Sequence, residues 1–217
     1  MFFSRSKSTI PTPEEALAGR PERPFHLSPQ HLVLDAPLVT DEVPEGHEAA
    51  IFGLGCFWGA EELYWRMPGV YSTSVGYAGG FTAHPSYEEV CSGRTGHTEA
   101  VRVVFDPKVV SYADLVKRFF EVHDPTQGMR QGGDVGTQYR SAIYWTTPEQ
   151  EQTARELTKV YGEELARRGL GEITTEIRPA SETPYYYAED PHQQYLAKNV
   201  FGYRCHANTG VKFPEMP

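Results

Sequence analysis

The chemistry in this chain starts with its thiols. Cys56 stands in GLGCFWG, residues 53–59, where an apolar run meets two glycines, a cysteine and two large aromatics. A strand that turns there into a helix puts Cys56 at or just before the helix N-terminus. The unpaired N–H groups and the macrodipole at such an end favour a thiolate over a thiol. Gly55 and Gly59 leave room for a substrate or another backbone to approach. The same residues also suit a plainer role, a small buried cysteine with Phe57 and Trp58 as core. Cys91 follows Glu88 and Glu89, whose charges raise a thiol pKa, so it reads as a buried, unreactive thiol. Cys205 lies in GYRCHANTG, a Gly-containing tail with no regular pattern, between Arg204 and His206. Those neighbours assist thiolate formation, and a tail thiol can travel to a second sulfur. An incidental tail cysteine is the other reading.

A proton donor is the next requirement. Glu99, in GHTEAV, stands at the start of a hydrophobic strand, where partial burial raises a carboxyl pKa and keeps it protonated. On local grounds a solvated strand-end charge is the more usual reading. Tyr87 and Tyr139 can present phenols, although single tyrosines are more often half-buried packing. Asp134 falls in GGDVG, where turn chemistry alone accounts for an aspartate. No CxxC or HxxxH pair occurs, which argues against a zinc site, and no phosphate-cradling glycine loop is present. No metal and no cofactor is expected.

The elements that must position these residues follow from periodicity and punctuation. Residues 48–54 read as a buried strand, 59–65 as a helix closed by Pro68-Gly69, and 70–77 as a β-branched and aromatic strand ending at Gly79-Gly80. One or two helical turns fit 86–91, a strand fits 100–105, and a helix opens at Ser111 with a capping-box spacing to Asp114. A Gly-dense loop spans 123–138, long enough to suggest function. A strand over 139–145, a long charged helix from Thr147 to about Arg168, and a strand over 173–178 complete the pattern, with a further helical turn near 193–199. The order is that of a ferredoxin-like βαββαβ unit with an added helix and strand, so the expected fold is α+β, a two-layer sandwich on a mixed sheet. Residues 1–46 contain seven prolines before Glu45 and cannot hold long regular elements, so they form an extension that wraps over the domain. A catalytic domain over 47–200 and a tail over 201–217 follow.

Bulk properties narrow the class. The chain has 217 residues, 39% hydrophobic and 23% charged, the profile of an ordinary globular protein. A formal net charge of -9 argues against nucleic acid and anionic membrane surfaces as partners. No apolar run approaches the ~18 residues of a bilayer span, and the opening MFFSRSKSTIPTP has no apolar secretory core. Three widely spaced cysteines make no disulfide scaffold, which fits a cytoplasmic location, and the composition suits a monomer.

Taken together, these segments resemble the A-class peptide methionine sulfoxide reductases. GCFWGAEE at 55–62 is the most specific stretch, supported by GVYSTSVGYAGG at 69–80, YEEVCSGRTGHTEAV at 87–101, HDPTQGMRQGGDVGTQYRSAIY at 123–144 and YYAEDPHQQYL at 186–196. The resemblance implies an α+β sandwich and the reduction of methionine S-sulfoxide, peptide-bound or free, as oxidative-damage repair. It implies that Cys56 is the nucleophile and that Phe57 and Trp58 hold the S-methyl group. Glu99, Tyr87 and Tyr139 would bind the sulfoxide oxygen, Asp134 would hold water and the tyrosine, and His192 would line the pocket. Many relatives have a cysteine directly after the Gly-Tyr pair and another near the C-terminus. Here Arg204 intervenes and no cysteine follows Cys205, so a two-cysteine cycle with a Cys56–Cys205 disulfide is expected, reopened by thioredoxin or another thiol reductant. A thiol peroxidase or redox sensor, and a non-catalytic module gripping methionine peptides, are the competing readings. The first is separated by comparing rates with peroxide and sulfoxide, the second by whether the protein turns over at all.

Overall fold

The computed structural model describes residues 7–205 and 207–215, so His206 and the outermost residues of the extension and tail lie outside it. Five strands and two helices build the expected unit and its first addition: β1 (Glu48–Leu54), α1 (Phe57–Trp65), β2 (Val70–Ala78), β3 (Thr98–Phe105), α3 (Tyr112–Val122), β6 (Ser141–Trp145) and β7 (Glu176–Pro179). Between them stand α2 (Tyr87–Cys91), a two-residue hairpin of β4 (Arg130–Gln131) and β5 (Asp134–Val135), and α4 (Pro148–Arg167). β8 (Tyr186–Tyr187) and α5 (Tyr195–Lys198) follow. The main sheet runs β7-β6-β1-β3-β2-β8. Its four central strands pair antiparallel in the ferredoxin-like order, and β7 joins β6 in parallel after the α4 crossover, which makes the sheet mixed.

Alternation along the strands divides two faces. Phe52, Val75, Tyr77, Val101, Val103 and Ile143 face the helices and form the main core with Phe57, Tyr64, Leu115, Phe119 and Tyr161. Ile51, Ala78, Ala100, Ala142 and Tyr144 form a smaller cluster on the other face, with Tyr185 packed against it. Helix starts carry the chemistry read from sequence. Ser111 and Asp114 form a reciprocal capping box, and Thr147 accepts the Gln150 N–H ahead of Pro148.

Boundaries move where tertiary contacts compete with local pattern. α1 begins at Phe57 rather than Gly59, because Cys56 takes the N-cap position. β7 begins at Glu176 rather than Ile173, because Thr174 is tied to the Pro125 carbonyl through its N–H at 2.8 Å and its hydroxyl at 2.9 Å. Residues 137–139 form a single 3-10 turn, so β6 starts at Ser141.

Among residues 7–46 there is no helix or strand, only a bridge between Gln30 and Pro37. The segment is nevertheless bound into the fold. Ala36, Leu38 and His31 are buried. Nδ1 of His31 accepts the N–H groups of Val33 and Leu34, so Nε2 carries the proton and donates to Thr73 Oγ1 at 2.8 Å. Thr73 passes its own proton to Glu61 Oε1 at 3.0 Å, and Glu61 accepts both the N–H and the amide of Gln194. Burial pushes Glu61 up to about 7 and His31 down to about 4. His31→Ala is therefore expected to cost about 2 kcal/mol at pH 7, the toll of a cavity and of the lost hydrogen bond to the Thr73 hydroxyl. A depressed histidine pKa gives stability that is present above pH 6.5 and lost as pH falls toward 4. The difference between parent and variant should shrink over that window in urea titrations.

Candidate active site

Cys56 ends the turn between β1 and α1, and the turn depends on Gly55. At φ +90° Gly55 occupies the left-handed region, and a Cβ there would stand 2.7 Å from Cγ of Gln131. Gln131 cannot easily yield, because its amide donates to the Asp124 carbonyl and accepts the Asp124 N–H. Gly55→Ala is expected to destabilise the fold by about 2 kcal/mol or more, read as a lowered urea midpoint.

The turn leaves Cys56 as N-cap, with the residue 9% exposed. Burial pushes its thiol well above the ordinary range, and Glu99 and Asp134 add to this when ionised, while the N–H groups of Trp58 and Gly59 pull the other way. The expected resting thiolate is thus corrected: the helix end is present, but desolvation outweighs it. Cys56 rests as a thiol.

Glu99 stands beside the same turn. It faces Tyr77 across the β2–β3 ladder and is 2% exposed. Its Oε2 accepts the Phe57 N–H at 2.9 Å, the first free donor of α1. Burial raises its pKa to about 8, partly offset by that N–H. At neutral pH it is a protonated acid fixed to the residue after Cys56. Of the two local readings of Glu99, the buried carboxyl is the one in the structure.

The aromatic wall forms beside this pair. Phe57 is buried against Trp58, Tyr77 and Tyr87, with ring centroids 5.9–6.4 Å apart. His192 sits 4.3 Å from Tyr87 and 5.6 Å from Phe57, and its Nδ1 accepts the Trp58 indole N–H at 3.2 Å. Tyr195, which carries no local signal in the sequence, stacks on Trp58 at 4.0 Å. Glu189 was equally illegible: it accepts the Tyr77 hydroxyl at 2.9 Å and the Tyr87 N–H at 2.8 Å, and so holds α2 to the sheet.

The phenols converge from two elements. Tyr139 lies close enough to Glu99, Cys91, Asp134 and Cys56 that, after burial, each of their charges pushes its pKa up. Tyr87 is raised by burial first and then by Glu99, and its hydroxyl is shared with Cys91. Both are neutral donors across the physiological range. Cys91 is a half-buried thiol raised by burial and by Glu99. Asp134 accepts the Tyr203 hydroxyl at 3.0 Å, so its tyrosine partner in this state comes from the tail. Cys205 donates from Sγ to the Gln131 carbonyl at 3.7 Å, and both Cys56 and Cys205 line one cavity of about 120 Å³. The structure thus brings Cys56, Glu99, Tyr87, Tyr139, Phe57, Trp58, Asp134, His192 and Cys205 into one region.

A family model described as peptide methionine sulfoxide reductase matches residues 48–216. The chain belongs to this family. It is 58% identical over 216 residues to the peptide methionine sulfoxide reductase MsrA of Salinispora tropica, covering 99% of this chain and 96% of that one. The solved methionine sulfoxide reductase A of Corynebacterium diphtheriae is 50% identical and superposes with a TM-score of 0.85 over 95% of this chain and 100% of that one. Reduced Mxr1 from Saccharomyces cerevisiae is 33% identical, with a TM-score of 0.66 over 82% and 96% of the two chains. The reductase is accordingly an oxidoreductase acting on methionine sulfoxide. Among its described residues no helix is long and apolar enough to cross a membrane.

Proposed function

We propose that the reductase converts methionine S-sulfoxide, free or in peptides, to methionine through Cys56, and that Cys205 resolves the product. The observation that carries this reading is the juxtaposition of a buried Cys56 thiol with a buried, protonated Glu99 at the foot of an aromatic wall.

A sulfoxide oxygen leaves sulfur only as it gains a proton. Glu99 supplies it, and the Tyr87 and Tyr139 hydroxyls stabilise the charge that develops on oxygen. Protonation turns the substrate sulfur into an electrophile with cationic character, and that charge favours ionisation of the neighbouring Cys56 in a way the empty site does not. The thiol proton passes to the Glu99 carboxylate, so the acid is restored. The Cys56 sulfur bonds to the substrate sulfur, the hydroxyl then passes to Cys56 as the substrate's S–O bond and the transient S–S bond break, and the net change is Cys56–SH and the sulfoxide giving Cys56–SOH and the thioether. Phe57 and Trp58 receive the S-methyl group, with His192 and Tyr195 holding the indole in place. Asp134 orients water and, once the tail moves, a tyrosine of the site.

The sulfenic acid then condenses with Cys205: the S–OH bond breaks, an S–S bond forms, and the thiol proton leaves with the hydroxyl as water. A dithiol reductant of the thioredoxin class opens the disulfide by two thiol exchanges, supplying two electrons. On this reading residues 201–217 act as a resolving tail on a catalytic domain over 47–200, with 1–46 as an extension bound to it. The protein works as a cytoplasmic monomer, without cofactor, metal or nucleic acid.

The test is dithiothreitol-driven reduction of separate S and R epimers of N-blocked methionine sulfoxide, followed by mass mapping after one turnover without reductant. Turnover of the S epimer alone and a Cys56–Cys205 peptide pair are expected. Turnover of the R epimer, or a Cys56–Cys91 link, overturns the corresponding step.

A further inference from the structure

Cys205 sits on a tail that has no helix or strand among its described residues after Lys198. Its own contact, a thiol donating to the Gln131 carbonyl at 3.7 Å, is weak. The residue before it is held much more firmly. Arg204 forks onto Glu62, with Nε 2.7 Å from Oε2 and Nη2 3.1 Å from Oε1. Its remaining nitrogen donates to the carbonyls of Val200 at 3.1 Å and Gly202 at 3.3 Å, which folds the tail around the guanidinium. Glu62 belongs to α1, the helix capped by Cys56, and Glu62, Arg204, Cys56 and Cys205 all line the same cavity. One rigid helix therefore carries the attacking thiol at its start and, fewer than two turns on, the anchor for the second thiol's neighbour. Arg204 is also the residue that separates Gly202-Tyr203 from the cysteine, the point at which the tail departs from the pattern expected of it.

We propose that the Arg204–Glu62 ion pair is a positioning latch that holds Cys205 toward Cys56 and sets how fast the Cys56 sulfenic acid closes to a disulfide. The proposal rests on Cys205 being the resolving thiol. Closing an S–S bond inside one chain depends on the effective concentration of the second thiol, and without the fork a tail still tied at Tyr203 to Asp134 and at Thr209 to Tyr161 spreads that thiol over more conformations. The planar fork restricts the tail at two points with one side chain, which a lysine at 204 cannot reproduce. Glu62 also meets Arg66 at 2.7 Å, so losing Arg204 does not leave the carboxylate unpaired on the helix. α1 and Cys56 thus remain in place when the latch is cut.

The experiment is a partition measurement. Reduced enzyme is given excess sulfoxide without reductant but with a sulfenic-acid-trapping cyclic 1,3-diketone, and mass spectrometry counts trapped Cys56 against Cys56–Cys205 disulfide. The ratio does not depend on how fast the sulfenic acid forms. Trapping rates in Cys205→Ser, with and without Arg204→Ala, are divided out. Arg204→Ala and Glu62→Ala should each raise trapped over disulfide about fivefold, the double variant no more than either, and Arg204→Lys an intermediate amount. The methionine burst should keep its parental rate in all of them. Parental partitioning in Arg204→Ala, a double variant showing the product of both effects, or a burst slowed as much as closure overturns the latch while the parent still forms its disulfide. A parent that forms no Cys56–Cys205 disulfide overturns the resolving role beneath it as well.

Discussion

Cys56→Ser is expected to remove sulfoxide reduction altogether, a loss of at least about 10³-fold in kcat/KM. The size of the effect follows from what the atom must do. Only sulfur can accept the sulfoxide oxygen and become a sulfenic acid, so a serine hydroxyl offers no slower version of the same step. The substitution is also gentle on the structure. Serine is smaller by a fraction of an ångström in bond length, keeps the N-cap geometry, and is a preferred N-cap residue in its own right. Phe57 and Trp58 remain against Tyr87 and His192, so substrate binding should survive. Two measurements separate chemistry from folding: methionine release with dithiothreitol, and quenching of Trp58 fluorescence on titration with N-blocked sulfoxide. Binding without turnover assigns the nucleophile. Residual turnover above one part in a hundred places the reacting sulfur elsewhere, and the half-buried Cys91 beside Tyr87 would be the first to examine.

How far the sequence reaches is seen by comparing these residues. The strand, the Gly55 turn and the helix after Cys56 are written in adjacent residues, and they fold as read except that α1 opens two residues earlier, at Phe57. So do the Ser111 and Thr147 caps, because capping acts over three or four positions. The ionisation of Cys56 is not local. A helix N-terminus argues for thiolate, but the sulfur's desolvation comes from the surrounding strands, helices and loop, which no seven-residue window contains. Glu99 was ambiguous for the same reason: its burial depends on pairing with Tyr77 and on α1 docking above it. The strongest link between tail and helix joins residues 142 apart in sequence, and nothing near Glu62 announces Arg204. β8 and the β4–β5 hairpin are too short to show a period, yet the hairpin carries Asp134 and Gln131 into the site.

Glu99→Gln should lower kcat/KM by about 10²–10⁴-fold, the usual contribution of a positioned general acid. The amide is nearly isosteric and its oxygen can still accept the Phe57 N–H, so the turn that carries Cys56 keeps its anchor. What is lost is the acidic proton. The pH dependence gives the decisive reading. With a pKa of about 8, the parent holds Glu99 protonated through neutrality and loses it above, so kcat/KM should fall as pH rises through about 8. In Glu99→Gln that alkaline limb should vanish. The variant's stability should change in the opposite direction to its activity. In the unfolded chain Glu99 ionises near 4.5, whereas the fold keeps it neutral up to about 8. Between those values the unfolded state binds fewer protons than the native state, so this group's contribution is lost as pH rises. Holding the acid neutral costs the fold roughly 3 kcal/mol at pH 7. Glutamine carries no such charge, so the variant should gain stability relative to the parent as pH rises from about 4.5 to about 8, read as a growing difference in urea midpoint. A variant that loses activity and gains stability in that window marks Glu99 as a group kept buried for its proton. Loss of both would mean that the carboxyl's role is to hold α1.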